Sequence, residues 1–172
     1  MSINSVISNG VVYYEKKELN GYQIIESWDY ENYFHKDDGY CKKINNGDKE
    51  WRQYGVLHRE NGPAFDYDII DNKIIPGRRK EWYLNGKLHR LDGPAVEYYN
   101  GIKEWWIYNK RHRTDGPAIE YSDGSYAYYQ HNLLHREDGP ASMMKENICE
   151  YYICGIPVTP EEYLTLMKLD KL

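Results

Sequence analysis

Along most of the chain, apolar and polar residues alternate in short runs broken by Asn, Asp, Gly and Pro, the pattern of short β-strands joined by turns. Ala95-Val96-Glu97-Tyr98-Tyr99 is rich in β-formers, Asn100-Gly101 signals a two-residue turn, and Lys103-Glu104-Trp105-Trp106-Ile107-Tyr108 reads as the returning strand. The same phrase follows with Asp123-Gly124 at its turn. After the second strand stand Asn85-Gly86, Asn109-Lys110 or Asn132-Leu133, and a polar loop then brings the chain back. Read at period two, Trp51, Trp82, Trp105, Tyr128 and Tyr151 point to one side of the second strands, while Arg52, Tyr83, Trp106, Tyr129 and Tyr152 point to the other. In the first strands Phe65, Val96 and Ile119 share a side with Tyr67, Tyr98 and Tyr121. Asp66, Glu97 and Glu120 line the opposite side, so that face is expected to be the more acidic.

These runs are one unit repeated. His58-Arg59-Glu60-Asn61-Gly62-Pro63-Ala64 returns as His89-Arg90-Leu91-Asp92-Gly93-Pro94-Ala95, His112-Arg113-Thr114-Asp115-Gly116-Pro117-Ala118 and His135-Arg136-Glu137-Asp138-Gly139-Pro140-Ala141. His89, His112 and His135 are spaced by 23 residues, and a step of 23 back from His58 reaches the worn copy His35-Lys36-Asp37-Asp38-Gly39. The step from His58 to His89 is 31, which places an insertion of eight residues between Phe65 and Lys80. An aromatic residue stands seven positions before each His, and the period runs from about residue 28 to 158. The expected fold is therefore all-β: an elongated single antiparallel meander of about six hairpin units, in one domain spanning residues 1–172. Residues 1–27 read as a degenerate first unit, in which Val11-Val12-Tyr13-Tyr14 and Ile24-Ile25 suggest strands. Residues 159–172 read as a capping helix, with Thr159 and Glu162 forming a capping box, Pro160 at the first helical position, and Tyr163, Leu166 and Met167 on one face.

Composition narrows the function classes. The 19 Tyr and 5 Trp stand beside only 2 Phe, so nearly every ring carries a polar handle suited to a half-exposed surface. A net charge of −5 argues against phosphate neutralisation as the main task, which disfavours nucleic acid, and it disfavours an anionic membrane surface as well. No apolar run approaches a bilayer span, and the first residues lack the pattern of a secretory signal, so a soluble, cytoplasmic protein is expected. Cys41, Cys149 and Cys154 form an odd set without paired spacing, and reduced thiols are expected.

The segment from Glu81-Trp82-Tyr83-Leu84-Asn85-Gly86-Lys87-Leu88-His89-Arg90 through Asp115-Gly116 resembles the MORN repeat, whose units are also about 23 residues long. It is most similar to divergent Leu-His-Arg-x-Asp-Gly-Pro-Ala variants found in proteins of bacteriophages and large DNA viruses; Arg90 and its equivalents stand where the family carries glycine. The resemblance spans about residues 28–158. It implies a twisted antiparallel sheet of hairpins with a shallow aromatic groove, used in that family for protein contact, scaffolding and association with phospholipid headgroups.

The recurrence of His with Asp three residues on suggests catalysis at first sight. Catalysis needs one asymmetric constellation, however, and a residue present in every unit answers a need of every unit. His58, His89, His112 and His135, together with Trp51, Trp82 and Trp105, are accordingly assigned to the structure of the repeat, with Asp capping its turn and Arg stacking on a ring or pairing with a carboxylate. Equivalent histidines would sit about 10 Å apart, two strand spacings, too far to share a metal ion. No enzyme activity, cofactor or metal is expected. Binding is assigned to two departures from uniformity. One is the ring ladder Arg52, Tyr83, Trp106, Tyr129 and Tyr152. The other is the insertion, residues 68–80, expected to protrude as a hairpin with Ile74, Arg78 and Arg79 available to a partner. The partner is expected to be a host or viral protein, with a small nucleotide-like ligand on the rings as the alternative and a phospholipid-associated scaffold as a second. Exposed sheet edges would also permit a homo-oligomer.

Overall fold

The computed structural model describes residues 13–19, 22–28, 42–44, 48–67, 77 and 79–169. As the sequence pattern predicts, the chain is an antiparallel β-meander closed by one helix. In chain order the strands are β1 (Tyr13–Leu19), β2 (Tyr22–Trp28), β3 (Lys42–Ile44), β4 (Lys49–Glu50), β5 (Arg52–Gln53), β6 (Val56–Leu57), β7 (Phe65–Asp66), β8 (Arg79–Glu81), β9 (Tyr83–Leu84) and β10 (Lys87–Leu88). Then come β11 (Val96–Tyr98), β12 (Lys103–Glu104), β13 (Trp106–Ile107), β14 (Lys110–Arg111), β15 (Ile119–Glu120), β16 (Tyr126–Ala127), β17 (Tyr129–Gln130), β18 (Leu133–Leu134), β19 (Ser142–Met144), β20 (Ile148–Ile153) and β21 (Ile156–Val158). The helix α1 spans Pro160–Leu169. The main sheet runs in the order β1-β2-β3-β4-β7-β8-β11-β12-β15-β16-β19-β20-β21, and β5–β6, β9–β10, β13–β14 and β17–β18 are separate two-stranded hairpins.

Each unit thus holds two hairpins where the sequence reading expected one. The returning strand does not run straight from Lys103 to Tyr108: it leaves the sheet at Trp105. There the Trp105 N–H donates to Ala118 O (2.8 Å), and its carbonyl accepts from the His112 N–H (3.1 Å). Turn chemistry explains the division. Asn100-Gly101 and Asp123-Gly124 do not close two-residue turns. Tyr98 and Tyr121 each begin a three-residue connection, bonded Tyr98 N to Ile102 O (2.9 Å) and Tyr121 N to Ser125 O (3.0 Å), with Gly101 (φ 92°) and Gly124 (φ 88°) in the left-handed position. The two-residue turns lie at the tips of the small hairpins: Tyr54-Gly55, Asn85-Gly86, Tyr108-Asn109, His131-Asn132 and Cys154-Gly155, with both residues of each pair at positive φ. Positive φ at both central positions gives the type I′ turn, whose twist suits a tight hairpin. Adjacent hairpins are bonded to one another: Asn109 N–H donates to Leu88 O (3.0 Å) while Asn109 Oδ1 accepts from Leu88 N–H (2.7 Å), and Asn132 does the same to Arg111.

Register also redistributes charge. Asp66, Glu97 and Glu120 do share a face, but Lys49, Lys80 and Lys103 lie directly opposite them, so signs alternate across the sheet and that face is not acidic. Three further carboxylates, Glu50, Glu81 and Glu104, stand opposite Phe65, Val96 and Ile119 on the other face, and of the three only Glu50 is in register with a lysine, Lys42.

A repeated clasp holds each loop to its strand. The guanidinium of Arg59, Arg90, Arg113 and Arg136 lies over the ring of Trp51, Trp82, Trp105 and Tyr128 at 3.9, 4.2, 3.9 and 4.1 Å from the centroid. Each arginine also donates to the proline carbonyl of its own loop (3.1–3.4 Å). In the last three units it donates as well to the loop aspartate, as Arg113 does to Asp115 (2.9 Å), and Arg90 and Arg113 reach Glu97 (3.0 Å) and Glu120 (2.7 Å). A cation over a ring contributes about 0.5–2 kcal/mol. Opposite the ring the guanidinium meets the loop glycine: a Cβ on Gly116 would lie 2.8 Å from Arg113 Cζ, and one on Gly93 would lie 2.9 Å from Arg90 Cζ. Under the same loops Ala64, Ala95, Ala118 and Ala141 are wholly buried.

The helix is capped as expected, with Glu162 N–H donating to Thr159 Oγ1 (3.2 Å) and Thr159 N–H to Glu162 Oε2 (2.8 Å). Tyr163 is its anchor, tilted against the ring of Tyr151 (4.8 Å between centroids) with its hydroxyl donating to Glu137 O (2.6 Å). Leu166, expected beside it, is 40% exposed. The edge strand beside the helix carries Pro157, which has no N–H to offer an added strand; that works against self-association through β21.

Gly116→Ala should displace the Arg113 guanidinium from Trp105 and cost what that contact contributes, about 0.5–2 kcal/mol of unfolding free energy. Urea unfolding followed by tryptophan fluorescence measures it, and a change below a few tenths would contradict the sandwich.

Candidate functional site

The four loop histidines serve the turns of the next hairpin. Nδ1 of His58, His112 and His135 accepts the main-chain N–H of Asn85 (3.1 Å), His131 (3.4 Å) and Cys154 (3.1 Å), the first residue of each positive-φ turn. An accepting Nδ1 carries no proton, so Nε2 holds it. His89 keeps a buried Nδ1 with no hydrogen-bond partner among the described residues, and its ring stacks on Tyr108 at 4.2 Å. His112 lies on His131 at 4.3 Å. Among the described residues no group of three or more His, Cys, Asp or Glu could hold a metal ion.

The other face of the sheet is built differently. Along its floor Glu50, Phe65, Glu81, Val96, Glu104 and Ile119 face one another across successive strands. The three carboxylates are nearly out of solvent, with side chains 12%, 9% and 12% exposed, and each has a polar neighbour. Arg52 Nε donates to Glu50 (2.9 Å), Arg79 Nε to Glu81 (2.5 Å) and Trp106 Nε1 to Glu104 (2.8 Å), with Arg111 Nη2 3.5 Å from the same carboxylate. Two rows of rings flank this floor. Tyr67 and Tyr98 lie on one side with the Arg79 guanidinium 5.6 and 5.7 Å from their centroids; Trp106 and Tyr129 lie on the other, with Arg111 at 4.6 and 5.7 Å. Burial, then the charge of Glu81, pushes the Tyr83 phenol up to about 12, and burial also raises Tyr67, Tyr98 and Tyr129. These hydroxyls therefore remain protonated donors at neutral pH.

The structure places Arg52, Tyr83, Trp106 and Tyr129 at the starts of β5, β9, β13 and β17, and Tyr152 at the matching place in β20. Arg52, Tyr83 and Trp106 bond the floor carboxylates, a use the sequence reading did not give them. Arg79 is turned onto the same face, where its Nη1 also donates to Gly77 O (2.9 Å), whereas Lys80 lies in register with Asp66 and Glu97. Arg79 and Lys80, at the end of the insertion, are thus divided between the two faces. Ile74 and Arg78 lie outside the described residues. Sequence reasoning missed Glu50, Glu81, Glu104 and Arg111. The signal for the three glutamates is a triplet shared by three units, Lys49-Glu50-Trp51, Lys80-Glu81-Trp82 and Lys103-Glu104-Trp105.

Burial holds His89 below the ordinary imidazole value of 6.5, and burial followed by the neighbouring His131 does so for His112. A histidine depressed in the folded state is protonated first in the unfolded one, so its contribution is present above pH 6.5 and is lost as pH falls through that value. The melting temperature is expected to decline from pH 7 to pH 5, and His89→Gln should flatten the decline; an unchanged slope in that variant would remove His89 from the account. Comparison of the chain with protein-family models, with curated proteins and with solved structures finds no match.

Proposed function

We propose that this chain is a non-enzymatic interaction module that binds a protein partner along the ring-flanked carboxylate face. The observation that carries this reading is the continuity of that face: half-buried Tyr, Trp and Arg recur from Arg52 to Tyr152, and no second layer covers them among the described residues. Tyr, Trp and Arg are the side chains that dominate binding energy at protein interfaces, because they offer large contact area with polar tips. The floor carboxylates are already bonded, so a partner need not neutralise them.

Spacing favours an extended partner segment. Equivalent rings recur every two strands, about 9.6 Å at the usual strand separation. A polyproline II segment advances about 9.3 Å per three-residue turn, so every third side chain could meet an equivalent ring over two or three units before sheet twist separates them. A second reading, a planar anionic ligand held between rings and arginine, is favoured by Arg111, which lies between Trp106 and Tyr129 with a buried Nε that has no hydrogen-bond partner among the described residues.

Affinity purification from the native cellular context separates the readings when the intact protein is compared with a Trp106→Ala, Tyr129→Ala double variant and with Lys110→Ala, on the opposite side of the same hairpin. A protein retained by the intact chain and by Lys110→Ala, but lost at least tenfold from the double variant, is the expected result. A protein retained equally by all three would overturn the assignment of this face. No captured protein, together with a melting temperature raised by a metabolite extract, would favour the ligand reading.

A further inference from the structure

One unit departs from the others at its hairpin tip. The residue whose N–H is received by the loop histidine is Asn85 in one unit and His131 in another, but after His135 it is Cys154. The repeat places an unprotonated Nδ1 at this tip for a structural purpose, and here the sequence sets a thiol beside it. Cys154 Sγ lies 3.7 Å from His135 Nδ1, and on the far side of the ring His135 Nε2 lies 3.5 Å from Glu137 Oε1. The imidazole is 8% exposed and thus fixed in place, while Cys154 is exposed on the turn with φ 51°. Glu137, His135 and Cys154 stand in line as carboxylate, imidazole and thiol. The arrangement fits a nucleophile assisted by a base that a third group orients.

We propose that Cys154 is a modification site that forms mixed disulfides, with His135 as its general base and Glu137 as a positioning residue. The Cys154 thiol gives its proton to His135 Nδ1 as its sulfur attacks one sulfur of a small disulfide. The new S–S bond joins Cys154 to that sulfur, the old S–S bond breaks, and the leaving thiolate takes the proton from the imidazolium. Net, one disulfide and one thiol become one mixed disulfide and one free thiol, with the incoming disulfide as oxidant. As His135 becomes cationic, the Glu137 carboxylate beside Nε2 stabilises the charge and orients the ring. The other units have no thiol at this place, so the chemistry belongs to this one tip. Its consequence is structural as well, because a protonated Nδ1 cannot accept the Cys154 N–H and an adduct on Sγ adds bulk beside the turn.

Cys149 is also free and exposed but has no such neighbour among the described residues, and it serves as an internal reference. The full chain is treated with oxidised glutathione from pH 5 to 9, and the modified fraction of each cysteine is followed by peptide mass mapping. Cys154 is expected to react about a hundredfold faster than Cys149 at pH 7, at the low end of what general-base assistance supplies, with the ratio falling toward acid pH. His135→Gln should bring the ratio close to one. Because that substitution also disturbs the turn, Glu137→Gln, at an exposed loop position, is measured beside it and should lower the ratio a few-fold with the melting temperature unchanged. A Cys154 to Cys149 ratio near one across the whole pH range, or a ratio unaffected by both substitutions, would overturn the proposal.

Discussion

The guanidinium held between an aromatic ring and a glycine is the contact on which the rest of the molecule depends. Among the described residues the sheet has no second layer against which to bury its strands, and most of those strands, two or three residues long, offer too little ladder to stand alone. The loop arginine supplies the missing cover. It lies over the Trp or Tyr at which the chain leaves the sheet, ties down the proline carbonyl of its own loop, and in two units reaches a carboxylate on the first strand. A planar cation with five donors can do all of this at once, whereas lysine cannot. The glycine is small because the guanidinium lies against it, and the alanine that follows proline is wholly buried beneath the loop.

From that clasp the two-sided character of the sheet follows. With Trp51, Trp82, Trp105 and Tyr128 covered by arginine, one face becomes a surface of alternating lysine and carboxylate. The opposite face keeps its rings half exposed over a floor of bonded glutamates. The small hairpins extend this second face: Trp106 and Arg111 sit opposite each other in β13 and β14, which sets the arginine beside the ring and near Glu104. A surface of this type offers contact area with polar tips while its own buried charges are already satisfied, the condition under which a partner gains area without desolvating an unpaired ion.

Uniform repetition also makes local departures informative. Ala127 stands where Glu50, Glu81 and Glu104 stand in other units, and there Tyr129 flanks Arg111 in place of bonding a floor carboxylate. Val158 replaces the loop histidine in the last unit, and the chain turns into α1, whose Tyr163 packs against Tyr151, the ring equivalent to those that arginine covers elsewhere. Cys154 takes the turn position beside His135, the one place where the scaffold's imidazole meets a thiol among the described residues.

The sequence by itself determined the all-β meander, the 23-residue unit, the two ring ladders and the capped terminal helix, because period-two alternation, turn residues and capping residues act over a few neighbours along the chain. It even pointed to the arginine stack, since one loop and one ring recur together in every unit. What it left undecided was whatever depends on register between strands. Asn100-Gly101 looks like a two-residue turn until the chain's twist shows that the type I′ turns sit at Tyr54, Asn85, Tyr108, His131 and Cys154, where residues of quite different kinds accept positive φ. Asp66, Glu97 and Glu120 look like an acidic face until pairing sets lysines across from them, and Glu50, Glu81 and Glu104 look like surface charges until folding sinks them among rings. Cys154 and His135 are 19 residues apart and carry no shared motif. Only the tertiary structure brings them together, because a hydrogen bond from one unit's turn to the previous unit's loop is a contact between neighbours in space that spacing along the chain does not encode.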